Sequence, residues 1–407
     1  MPSLRHDQRA LLDPIDGPID GRTLLDQTLA WAAVNSGTGN LAGLAATAAT
    51  LADAFSVLPG GIALLDAEPV ESVAPDGKVA TIARGRNLHL AVRPEAPVQV
   101  LLTGHMDTVY PADHAFQACR TLADGTINGP GVADMKGGLA LMLAALRAVE
   151  ASPLAPRIGY EVVINSDEET GSHGSAALIA RAARGKAAAL TYEPAATPDG
   201  VLAGSRPGSG NFSIVVTGRS AHAGRNPEDG RNALLAAADL ALRLGRAAGP
   251  GLSVNPARID GGGPNNVVPD HAILRVNLRP ATPADQARAE ALIDAAIGDV
   301  IAAHGVSIHR HGGFARPPKP LDPAAERLFA LVRDCGAALG QAISWRPSGG
   351  VCDGNNIAAC GVPVVDTMGA RGGAIHSPDE FLIAASLPER ARLSALVLLT
   401  LAEKGAP

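Results

Sequence analysis

The sequence predicts an α/β domain, a mixed and largely parallel sheet flanked by helices, interrupted by an inserted α+β domain. Three observations carry this. Between 97 and 192 short apolar runs alternate with Ala/Leu-rich stretches, the rhythm of a sheet with helical crossovers. After about 206 the pattern changes to half-exposed strands and amphipathic helices. A proline-rich connector, Phe314-Ala-Arg-Pro-Pro-Lys-Pro-Leu-Asp-Pro323, marks the boundary after which the first rhythm returns.

Taken in order, residues 24–57 read as two Ala/Leu helices broken near Asn35–Gly39. Residues 97–104 form a short apolar run closed by glycine, the pattern of a buried strand. Residues 137–150 read as a buried helix, 158–165 as the next strand, 172–183 as a helix and 187–192 as a strand. In the insert, 211–217 alternates as a strand exposed on one face should. A helix at 231–246, a strand near 271–279 and a helix at 283–304 follow. The final part holds a helix at 324–339, a strand at 362–366 and a helix at 384–402. The expected division is 1–206 with 317–407 as one domain and 207–316 as the insert.

Composition narrows the function. With 407 residues, 46% hydrophobic and 18% charged, the chain is long enough for two or three domains with a real core. A net charge of −6 argues against a general nucleic-acid binder. Only 3% of residues are aromatic, which leaves few platforms for stacking bases. Four scattered cysteines without a CxxC make no disulfide framework. No apolar stretch is long enough for a membrane span, and the first nine residues lack a secretory pattern. The expected location is the cytoplasm.

The chemistry sits at the ends of the expected strands, where open α/β sheets place their sites. The first ends in Gly104-His105-Met106-Asp107, and the loop that follows carries Ala133-Asp134-Met135. The second ends in Asp167-Glu168-Glu169, the third in Tyr192-Glu193-Pro194, and the last part adds Ile375-His376-Ser377. Each has an ordinary alternative: a hydrogen-bonded histidine, a helix N-cap at Asp134, a solvated acidic pair, a turn before proline. Together, histidines and carboxylates at successive strand ends suit a divalent metal such as Zn²⁺. Gly129-Pro-Gly131 lacks the spacing of a phosphate loop, and Gly204-Ser205 and Gly208-Ser209-Gly210 lack the setting of a serine nucleophile.

From 97 to 383 the chain resembles the di-zinc peptidase and deacylase family of acetylornithine deacetylase, succinyl-diaminopimelate desuccinylase and bacterial glutamate carboxypeptidase. The resemblance rests on Gly-His-Met-Asp-Thr-Val (104–109), Gly-Val-Ala-Asp-Met-Lys-Gly-Gly (131–138) and Asp-Glu-Glu-Thr-Gly-Ser (167–172). It continues through Ala-His-Ala-Gly (221–224), Asn-Val-Val-Pro-Asp (266–270), Asn-Leu-Arg (277–279) and His-Ser-Pro-Asp-Glu (376–380). It implies a zinc-exopeptidase fold with a ferredoxin-like lid and dimerisation insert. It also implies two divalent ions, Zn²⁺ first, with Co²⁺ or Mn²⁺ accepted by the same donors. His105 and Glu193 would bind one ion, Glu169 and His376 the other, with Asp134 bridging. A cis peptide would follow Asp134.

The resemblance also assigns Glu168 as the general base for a water shared by the ions, and Asp107 as the acceptor for the second ring N–H of His105. His222 would serve the tetrahedral oxyanion from the insert, often across a dimer interface. Arg279 would hold a substrate carboxylate, assisted by Asn266, and the loop with Gly349–Gly350 and Asp353-Gly354-Asn355 would line the pocket. The implied activity is hydrolysis of an amide in a small N-acyl amino acid or at a C-terminal residue. The alternative is a catalytically silent peptide or metabolite binder of the same fold. Some glutamate carboxypeptidases of the family carry a lysine soon after the ligand matching Glu193. Here 195–202 holds neither Lys nor Arg and Arg206 is the first cation, which weakens the case for glutamate. His173 reads as a surface residue at a helix start and Cys352 as a packed thiol.

Overall fold

The computed structural model describes residues 19–406, so the reading of the first nine residues lies outside it. Two helices, α1 (Gly21–Ala32) and α2 (Leu41–Phe55), precede the first sheet strands, β1 (Gly61–Leu65) and β2 (Asn87–Val92). The crossover unit follows as β3 (Val98–His105), α3 (Gly137–Glu150), β4 (Ile158–Asn165), α4 (Ala176–Ala183) and β5 (Ala188–Thr191). The insert contains β6 (Ser209–Thr217), α5 (Ala233–Arg246), β7 (Leu252–Gly261), β8 (His271–Pro280), α6 (Pro283–His304) and β9 (Ser307–Arg316). The chain then completes the first layer with α7 (Pro323–Ala338), α8 (Asp353–Ala359), β10 (Val364–Val365) and α9 (Ser386–Lys404).

The first sheet has the order β1-β2-β4-β3-β5-β10. The four strands from β4 to β10 are mutually parallel, and β1 and β2 run antiparallel at one edge. The sheet is therefore mixed and largely parallel, as its apolar runs require. β3 and β4 are buried along almost their whole length, because helices cover both faces. α3 is apolar nearly all round and packs against α9, so both helices lie inside the layer rather than on it.

The second sheet, β7-β8-β6-β9, is antiparallel throughout. It has its own core, in which Leu240, Leu244, Ile293 and Val300 of α5 and α6 meet Ile214, Val216 and Leu274. α6 starts where sequence places it: Thr282 accepts from the Asp285 N–H, Pro283 follows, and Gly305 closes the end at φ 64°. On the outer side of α5, Leu234, Leu235 and Leu242 are exposed.

Several elements differ from the sequence reading. β1, β2, β7 and β9 are strands it did not anticipate. β9 takes the first three residues of the proline-rich connector, so Phe314–Arg316 is sheet, not linker. The helix expected from 172 begins at Ala176. Among the described residues no helix is long and apolar enough to cross a membrane.

Candidate metal centre

The C-terminal ends of β3, β4 and β5 lie side by side, and each delivers one donor group. His105 ends β3; Glu168 and Glu169 form the first turn after β4; Glu193 follows β5. Asp134 comes from the loop before α3, which Gly131 enters in the left-handed region at φ 71°. The peptide after Asp134 is cis, as the resemblance implies. His376 reaches in from the loop before α9.

Two groups of three donors share Asp134. His105, Asp134 and Glu193 form one; Asp134, Glu169 and His376 form the other. His105 Nε2 is 3.1 Å from Asp134 Oδ1 and 3.8 Å from Glu193 Oε2. His376 Nε2 is 3.3 Å from Asp134 Oδ2 and 3.1 Å from Glu169 Oε2. One Asp134 oxygen thus serves each group. These donors fit a pair of divalent cations: four carboxylates, counting Glu168, crowd one site, and the buried Oε1 of Glu193 has no hydrogen-bond partner. Such crowding is costly unless positive charge is supplied.

The electrostatics reflect this. Burial, with neighbouring carboxylates, pushes Glu168 well above the usual range and Glu169 up to about 7. Burial also raises Glu193. Asp134 moves the other way: its burial is outweighed by His105 and His376, which hold it low. Hydrogen bonds to Asp134 and Glu169 push His376 up to about 11.

A second ring of residues fixes the donors. Asp107 is fully buried and its carboxylate accepts the Glu168 and Glu169 N–H groups, each at 3.2 Å, and the Thr38 hydroxyl at 2.7 Å. His105 Nδ1 lies 3.0 Å from the Asp107 main-chain carbonyl and 3.4 Å from its carboxylate, so both the carbonyl and the carboxylate of Asp107 face the ring nitrogen that the expected role concerns. The carboxylate is engaged in holding the Glu168–Glu169 turn. Glu380 accepts the N–H groups of Gly131, Ala133 and Asp134 at 3.0–3.1 Å, which anchors the loop that presents Asp134. Lys136 is fully buried, and its ammonium donates to Ser36 Oγ and the Met106 carbonyl, behind the metal-type donors.

Glu168 is held from the insert. Arg316, the last residue of β9, donates to Glu168 Oε1 at 2.7 Å and to Ser172 Oγ at 2.8 Å, and also pairs with Asp353. Sequence reasoning missed Arg316 because its proline neighbours made it look like linker. Glu380 and Lys136 lay inside quoted motifs, but nothing in their spacing marked them as supports.

Two cavities meet at the centre. One, of about 440 Å³, is lined by Glu168, Glu193, Ala195, Arg206, Gly350 and Phe381 among others. The other, of about 720 Å³, faces the insert and is lined by Glu168, Asn277, Arg279, Arg316, Gly350 and His376 among others. Arg279 is half-buried and donates to Asn277 Oδ1 and to the Gly349 carbonyl, tying the insert to that loop. The Gly350 carbonyl accepts from Arg206 at 3.1 Å. Cys352 is a buried thiol, as expected, on the wall of the first cavity; His173 is exposed.

His222 and Asn266 are not brought to the centre in this chain. Both are exposed on neighbouring loops of the insert, where the Asn266 carbonyl accepts the Ala223 N–H at 3.0 Å. The His222 ring accepts the N–H groups of Gly224 and Arg225. No hydrogen bond or ion pair among the described residues joins either to a metal-type donor.

Comparison with known proteins bears on this centre. The model of "Peptidase family M20/M25/M40" matches residues 101–400. Carboxypeptidase G2 from Pseudomonas sp. (strain RS-16) is 28% identical over 381 residues, covering 90% of this chain and 86% of the relative. A succinyl-diaminopimelate desuccinylase from Xanthomonas oryzae pv. oryzae is 30% identical over 311 residues, covering 72% and 80%. The solved structure of a tripeptidase from Staphylococcus aureus superposes with a TM-score of 0.73 at 23% identity, covering 95% of this chain and all of that one. Human carnosine dipeptidase 1 shares the fold with a TM-score of 0.68 at 16% identity over 97% of this chain and all of that one. The chain belongs to peptidase family M20/M25/M40 and is a metal-dependent hydrolase of its peptidase and amidohydrolase kind.

Proposed function

We propose that the chain hydrolyses the amide bond of a small N-acyl amino acid or of a C-terminal residue, with Glu168 as general base. The observation that carries this is the pair of three-donor groups sharing Asp134, with Glu168 beside them on the cavity wall. His105, Asp134 and Glu193 would hold one divalent ion, and Asp134, Glu169 and His376 the other, Zn²⁺ first and Co²⁺ or Mn²⁺ as substitutes. Bound there, the ions would acidify a shared water and polarise the substrate carbonyl.

The chain's own residues supply the rest. Glu168 accepts a proton at one carboxylate oxygen and returns it to the leaving nitrogen, while Arg316 holds the other oxygen. Asp107 and Glu380 orient the donors. Arg279, with Asn277 beside it, receives the free carboxylate of the substrate. We assign 19–206 with 317–406 as the catalytic domain and 207–316 as a lid.

We further propose a homodimer through the insert. The exposed leucines of α5 and the unpaired edge of β7 support it, since both are surfaces that a second copy would cover. The partner's copy of the insert would then bring its oxyanion-binding histidine and its amide-bearing loop to this cleft.

The test is Glu168→Gln. It should lower kcat by at least about a thousandfold on a hydrolysed N-acyl amino acid, with bound metal unchanged. Retained activity would remove the base assignment.

A further inference from the structure

We propose that the substrate carries one carboxylate and not two, and that the group entering the smaller cavity is apolar. This rests on the hydrolase reading and narrows it to a substrate class.

Among the described residues three arginines line the cleft: Arg206, Arg279 and Arg316. Arg316 is committed to Glu168 and Asp353. Arg206 is committed to Asp366: Nε lies 2.8 Å from Oδ2, Nη2 lies 3.2 Å from Oδ1, and Nη1 donates to the Gly350 carbonyl. Lys319, behind it, is 2.8 Å from the same Asp366. The remaining positive charge of that trio acts on Glu193, a metal-type donor. Arg279 differs. Its hydrogen bonds go to two neutral oxygens, Asn277 Oδ1 and the Gly349 carbonyl, and among the described residues no carboxylate forms an ion pair with it. Among the described residues the cleft therefore holds one cation that is unneutralised, and it stands in the larger, polar cavity with Asn211, Asn255 and Asn277. One carboxylate can be paired there.

The smaller cavity offers a different chemistry. Beyond the metal-type donors and Glu168 its wall is mainly apolar, with Pro194, Ala195, Pro198, Val351, Ile375 and Phe381; of its polar groups, Arg206 is held by Asp366 and the Thr367 hydroxyl by the Ala203 N–H, and Ser348 is neutral. Ile375, next to a metal-type donor, leaves 40% of its surface exposed. Phe381 is one of only six phenylalanines in the chain and is half-buried on this wall. An apolar acyl or side-chain group would cover these surfaces. A second carboxylate there would lose its water without meeting an uncommitted cation.

The experiment compares matched pairs on the metal-loaded enzyme: pentanoyl-alanine against succinyl-alanine, and acetyl-leucine against acetyl-glutamate. The expected result is kcat/KM at least about tenfold higher for the apolar member of both pairs. Ala196→Lys places an ammonium on an exposed position of the same wall and should shift toward the dicarboxylate, by about tenfold, the ratio of the pair whose varied group enters this cavity. Both ratios unchanged in that variant would overturn the assignment of this wall. Equal or better turnover of succinyl-alanine or acetyl-glutamate would overturn the proposal, most directly if Arg206→Met abolished it, since Arg206 would then be the second reader. Those outcomes leave the hydrolase reading standing. No turnover of any of the four compounds overturns both together.

Discussion

Arg316 donates to Glu168 Oε1 at 2.7 Å, so the last residue of the insert's edge strand grips the side chain that precedes a metal-type donor. The same guanidinium pairs with Asp353 and reaches Asn356 and Ser172, joining β9, α8 and the turn after β4. The second domain is thus coupled to the candidate base through one buried side chain.

Arg316→Gln should therefore act on catalysis and on folding. Steady-state kinetics should show kcat at least about a hundredfold lower, with KM within about threefold. Removing the cation strands two buried carboxylates, which costs about 3–5 kcal/mol and should lower the melting temperature. A raised KM with kcat retained would make Arg316 a substrate contact instead.

Arg279→Ala should raise KM at least about tenfold, about 1.4 kcal/mol, for a substrate with a free carboxylate, with little change in stability. Its present partners are neutral oxygens, so no buried charge is abandoned. An unchanged KM removes this role.

Metal affinity should fall as pH falls. Burial and Asp134 hold Glu169 up to about 7, so in the ion-free protein this carboxyl binds a proton below that pH, and His376 holds one up to about 11. The ions take the deprotonated forms, so binding expels protons, and more of them at lower pH. Titration of the ion-free protein with Zn²⁺ should give affinity at least about tenfold weaker at pH 5.5 than at 7.5. A flat profile would contradict the donor assignment.

Much of this was legible in the sequence. His105, Glu169 and Glu193 stand out because they closely follow apolar runs that read as buried strands, whereas Asp134 and His376 lie in loops and stand out by their motifs. The turn after β4 is short, and its two glutamates therefore arrive together. The edge strands were not legible. β7 contains Pro256 beside a register shift, and β9 contains Gly312 and Gly313 among histidines and arginines. Edge strands tolerate such residues, whereas a local pattern reads them as loop. Arg316 was lost for the same reason. Asp107 stands beside His105, but that its carboxylate also accepts the Glu168 and Glu169 N–H groups is something no spacing reveals.

The most direct measurement is the number of divalent ions per chain in protein purified without chelator, with activity on N-acyl amino acids read before and after chelation. The account predicts about two ions per chain, activity lost on chelation and restored by Zn²⁺, Co²⁺ or Mn²⁺, and both ions lost in Asp134→Ala. A chain that binds no ion and gains no activity when these metals are added would contradict it, and the centre would then be a buried acidic cluster in a binding protein.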